Sequence, residues 1–192
     1  MSQERVSVKV PGMLKYCHFV SDTSELLFKS KINFYTEDFY NSFIQDMRII
    51  MYELFSNSVT HSQGEWVTVL LDIYDEYLSV TIQTTNSGFG IKQMDKLIPG
   101  SADHPVTFPP YPKEFLDSYL VVYRDFEHEV QCKVTGEYEA HFINHKNILR
   151  KGDVFDIPEH YGLNLITRLA HESYYFRDEN GIDNFVIKKR LR

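Results

Sequence analysis

The chain has 192 residues, 43% of them apolar and 15% aromatic, with a formal net charge of −7. These values describe a folded chain with room for one domain and a sizeable core, not a disordered one. The acidic balance excludes a general nucleic-acid binder, which needs a basic surface to displace counterions. No apolar run approaches the ~20 residues that span a bilayer.

Residues 5–10, R-V-S-V-K-V, alternate apolar and polar and predict a strand that Pro11-Gly12 stops. A first helix is expected from about His18 to Ser30, with Val20, Leu26, Leu27 and Phe28 as its apolar positions. A long helix should start at Thr36, a good N-cap followed by Glu37 and Asp38, and close near Ser62-Gln63-Gly64. Its apolar stripe is Tyr40, Phe43, Met47, Ile50 and Leu54. Residues 66–74 and 77–84 read as a hairpin across Asp75-Glu76. Val67, Val69, Leu71 and Ile73 face one side of its first strand, and Leu78, Val80, Ile82 and Thr84 one side of its second.

Prolines at 99, 105, 109, 110 and 112 make the next stretch an irregular loop rather than a helix or central strand. Alternation resumes at Tyr119, Val121 and Tyr123, then at Phe126, His128, Val130 and Cys132, with a turn at Thr135-Gly136 leading to 138–143. A short helix from Gly162 to about Ala170 and a closing hairpin around Asp178–Gly181 complete the chain. Cys17 and Cys132 lie far apart in no metal-like spacing and, with no signal peptide ahead of them, read as reduced thiols of a cytoplasmic protein.

The long helix carries a second pattern. Glu53, Asn57 and His61 stand at i, i+4 and i+8, so a carboxylate, a carboxamide and an imidazole share one face. Two further pieces follow in order: Asn86-x-Gly88-x-Gly90-Ile91 leaving a strand, and Tyr161-Gly162-Leu163-Asn164 opening a helix. Together they resemble the histidine-kinase-like ATPases. In length the chain looks most like the bacterial anti-sigma-factor serine kinases, over about residues 5–98 and 158–191. The resemblance implies a Bergerat-type fold: one α+β domain, a two-layer sandwich of a mixed, mostly antiparallel sheet with helices on one face. A β-rich insertion at about 99–157 would extend the sheet or cap the cleft.

The resemblance also implies a site. Glu53 would be the general base, Asn57 the magnesium ligand and ATP-binding residue, and Asn86, Gly88, Gly90 and Gly162 the rest of the nucleotide contacts. A carboxamide oxygen suits a hard cation such as Mg2+, and the N-terminal amides of a helix beginning near Gly162 suit phosphate. The implied partner is a regulatory protein, a sigma factor or its antagonist, with homodimerisation open and with neither nucleic acid nor membrane as a direct partner. Two departures leave a second class open, a catalytically inactive interaction module. Asn86 stands where the family has Asp, and a single Gly162 flanked by His160, Tyr161 and Asn164 replaces a glycine-rich phosphate turn.

Other candidates are weaker. His141 and His145 fall in a strand, where their spacing does not make a helical metal pair, and Lys188, Lys189, Arg190 and Arg192 read as a solvated edge. No G-x-x-x-x-G-K-[ST] run exists, which excludes a P-loop.

Overall fold

The computed structural model describes residues 4–61, 64–85, 89–91, 106–146 and 161–192. Its first elements are β1 (Glu4–Pro11), α1 (Cys17–Lys31), α2 (Glu37–His61), β2 (Trp66–Ile73), β3 (Tyr77–Thr85), β4 (Phe89–Ile91) and β5 (Val106–Phe108). There follow β6 (Tyr119–Arg124), β7 (His128–Gly136), β8 (Glu139–Lys146), α3 (Tyr161–Leu169), β9 (Glu172–Arg177) and β10 (Ile182–Arg190).

Local rules account for most of these. Thr36 Oγ1 accepts the Phe39 amide at 3.2 Å, satisfying one free donor at the start of α2. Phe43, Met47, Ile50 and Leu54 are buried along that helix as its periodicity requires. The closing residues Ser62 and Gln63 lie outside the described residues. On α1 the buried stripe is Cys17, Val20, Ser21, Ser24 and Phe28, while Leu26 faces solvent. Strands β2 and β3 bury Val67, Val69 and Leu71 against Leu78, Val80 and Ile82, each within 1% of full burial. Each such side chain contributes about 1.5–3 kcal/mol relative to exposure.

The architecture departs from the two-layer, Bergerat-type sandwich of a mixed sheet. Eight strands form one sheet in the order β1-β2-β3-β10-β9-β8-β7-β6, and every pairing in it is antiparallel. Among the described residues the chain is mostly this one antiparallel sheet accompanied by three α-helices, which does not make the expected two-layer sandwich. The segment after residue 99 contributes β6, β7 and β8 to the same sheet, joined where Glu139–His141 of β8 pairs with Tyr174–Phe176 of β9. Alternation reports that a stretch is a strand. It carries no information about which distant strand completes its ladder or in which direction that strand runs, and the expectation of a mixed sheet failed on that point.

Two smaller corrections follow the same logic. A bulge between Val121 and Tyr123 breaks the alternation of β6, so Leu120, Val121, Val122 and Tyr123 are all buried. Phe126 is 63% exposed in a turn, because Asp125 Oδ1 accepts the amides of Glu127 and His128 at 2.7 and 2.6 Å and β7 begins only at His128. In the proline-rich stretch the described residues form β5, which pairs with β4 as a separate ribbon, and a 3-10 turn at Lys113–Phe115.

The apolar residues form two clusters. One joins α1 and α2 to β1, β2, β3 and β10, and the other gathers Phe108, Tyr111, Leu120, Tyr123, Val130, Cys132, Phe142 and Tyr175. Helix α3 straddles them, with Ile166 in the first and Leu163 in the second. Both cysteines are free and buried, one in each cluster. Among the described residues no helix is long and apolar enough to cross a membrane.

Candidate functional site

Helix α2 presents Glu53 and Asn57 half-buried and His61 exposed at its C-terminal end. Helix α3 brings its second residue, Gly162, against them. A Cβ at position 162 would collide with Glu53 Oε2 and would lie 3.2 Å from Asn57 Nδ2. Three residues from two sequence motifs therefore meet at one point, and the missing side chain of Gly162 lets the Glu53 carboxylate sit there. Gly90 is on the β4–β5 ribbon opposite Thr107. Asn86 and Gly88 lie outside the described residues.

The electrostatics of Glu53 are simple. Burial pushes its carboxyl above the usual carboxylate range, and no hydrogen bond or cation among the described residues offsets that desolvation. Buried Cys17 lies near enough for the Glu53 charge to add to the burial that raises the thiol. A desolvated carboxylate beside a carboxamide, at the amide-rich first turn of a helix, is a donor and acceptor set that can hold a hydroxyl or a hard cation. Among the described residues no group of three or more His, Cys, Asp or Glu side chains assembles into a metal site.

One turn into α3 lies a polar network that the sequence reading missed. Asn164 is fully buried, and its Oδ1 accepts from Asn144 Nδ2 at 2.9 Å. The same Asn144 nitrogen reaches Thr167 Oγ1 at 3.0 Å, and Asn144 Oδ1 lies 3.1 Å from His128 Nδ1. Asn164 Nδ2 has no well-formed hydrogen bond among the described residues, though it is close enough to the Tyr123 hydroxyl to favour its ionised form. Burial raises Tyr123, whose hydroxyl donates to Asp125 Oδ2 at 2.6 Å. Burial opposes the charge of Asp125, but bonds from Tyr123, Glu127 N and His128 N outweigh it and hold that carboxyl low. The visible signal was a lone carboxamide inside the apolar run Leu163–Ile166.

Compared with known proteins, the chain matches no family model and no curated relative.

Proposed function

We propose that the chain is an ATP-binding regulatory protein of the cytoplasm that phosphorylates a serine or threonine on a partner protein, resembling the anti-sigma-factor kinases. The observation that carries this is the desolvated Glu53 carboxylate, without a compensating partner among the described residues and held over Gly162 with Asn57 one helical turn away. Phosphoryl transfer needs positioning and charge neutralisation more than covalent chemistry. Glu53 orients the incoming hydroxyl and takes its proton, and its desolvation raises its basicity toward the working pH. Asn57 offers a neutral oxygen donor suited to magnesium, and the free amides of the first turn of α3 favour negative charge. ATP, when bound, supplies the transferable phosphoryl group.

The same contact favours a second reading, a module that sequesters its partner without catalysis. Glu53 fills the space over Gly162 that an anionic ligand would need, and half-exposed Tyr161 precedes it. Thermal melting with ATP-magnesium separates the two. A ligand present at ~100 times its dissociation constant stabilises by about 2.7 kcal/mol, a shift of several degrees in a chain of this size. A shift with ATP but not GTP, together with phosphate transfer that Glu53→Gln abolishes, supports the kinase reading. No shift with either nucleotide supports the module.

A further inference from the structure

We infer that the cleft where β8 parts from β9 is a binding site for a small anionic ligand carrying a phosphate or carboxylate group. The inference does not depend on the kinase reading. Strand β8 pairs with β9 only over Glu139–His141 and then continues to Lys146 beside α3, where Asn144 bonds Asn164 and Thr167. The buried Ser173 hydroxyl donates to the Phe142 carbonyl at 3.2 Å, closing the apex of the opening. The resulting cleft is ≈ 510 Å³, within the range of small-molecule sites.

Asn144, Thr167 and Ser173 of the lining already donate within the fold, so the donors it offers an anion are Lys133 and His171. Lys133 and His141 are register partners on β7 and β8, so their side chains project side by side from one face. Among the described residues no carboxylate is within salt-bridge reach of Lys133, whose ammonium stands 5.7 Å from the Tyr119 ring centre. His171 Nδ1 accepts the Arg190 amide at 3.3 Å, which leaves the proton of the neutral ring on Nε2.

The negative groups nearby are already engaged. Glu172, the one carboxylate in the lining, is 2.7 Å from Lys188 Nζ, and Glu139 is 3.0 Å from His141 Nε2. The C-terminal carbonyl of α3, Leu169 O, takes a hydrogen bond from Lys189 Nζ at 2.6 Å. An anion placed between Lys133 and His171 would meet donors on both sides, with Ile143 and Ala170 against its apolar part.

The test uses inorganic phosphate and citrate as separate probes in calorimetric titration, at constant ionic strength in a buffer free of both. The expected result is saturable binding of one or both anions, weakened about ten-fold in Lys133→Ala and retained in Lys133→Arg and Asn57→Ala. Phosphate binding alone identifies a phosphate-bearing ligand, and citrate binding alone a carboxylate-bearing one. Cooperative melting of Lys133→Ala shows that the loss is local. The inference is overturned if neither anion saturates, if Lys133→Ala binds like the parent, or if Asn57→Ala loses binding while Lys133→Ala keeps it.

Discussion

The Gly162→Ala substitution isolates the contact on which the site depends. Added alone, the methyl group would collide with Glu53 Oε2, the end of a flexible side chain that can swing aside. Two opposing effects follow. Alanine in a helix is favoured over glycine by up to ~1 kcal/mol, less in a first turn. Forcing Glu53 out of its rotamer costs roughly 0.5–1.5 kcal/mol. In the parent background the two nearly cancel, and the melting temperature should move by no more than about 4 °C. In a Glu53→Ala background only the 3.2 Å approach to Asn57 Nδ2, the end of a side chain that can give slightly, remains, so the same Gly162→Ala change should stabilise by roughly 0.5–1 kcal/mol. A double-mutant cycle by urea denaturation should therefore yield a coupling of about 0.5–1.5 kcal/mol. If Gly162→Ala is equally stabilising with and without Glu53, the carboxylate does not rest on this glycine and the site as described is wrong.

Glu53→Gln should be more stable than the parent at neutral pH. Burial raises the native-state value of Glu53 above its ordinary 4.5, so the parent's relative stability is greatest below about 4.5 and falls as pH rises through the raised value. Denaturation of both proteins at pH 4 and 7 checks this, and a constant difference refutes it. Asp183→Asn should cost about 3 kcal/mol by urea denaturation, because buried Asp183 accepts from Tyr175 Oη at 2.5 Å and Arg177 Nε at 2.7 Å. A loss under 1 kcal/mol would show that Arg177 finds another partner. If position 86 reads adenine, Asn86→Asp should tighten ATP binding by ~1 kcal/mol, roughly five-fold in dissociation constant, through a charge-assisted bond. Calorimetry of the two proteins decides that case, and unchanged or weaker binding refutes it.

The elements read from sequence with least error were those whose signal is local. Val67, Val69, Leu71 and Ile73 alternate because one face of their strand is buried, and Thr36 caps α2 because a short hydroxyl side chain can reach the next free amide. The residue types of Glu53 and Asn57 and their spacing were equally visible, since one helix sets both. Their meeting with Gly162 was visible only through a resemblance, because the contact joins two helices far apart in the chain. The joining of β8 to β9 had no local signal, so the sequence left the insertion's place open between extending the sheet and capping the cleft; what was misread was the sheet's pairing, expected to be mixed and found antiparallel throughout. The bulge in β6 and the Asp125 turn were missed for a related reason. Each replaces the period of a strand with a side-chain hydrogen bond or a register shift that pattern counting does not register.

The most direct test of the nucleotide reading is calorimetric titration of the parent and Asn57→Ala with ATP, with and without magnesium. If Glu53, Asn57 and Gly162 form a nucleotide site, the parent binds ATP saturably and more tightly with magnesium, and Asn57→Ala loses the magnesium dependence while still melting cooperatively. An absence of binding heat in the parent under both conditions, or a magnesium dependence that survives Asn57→Ala, would contradict it.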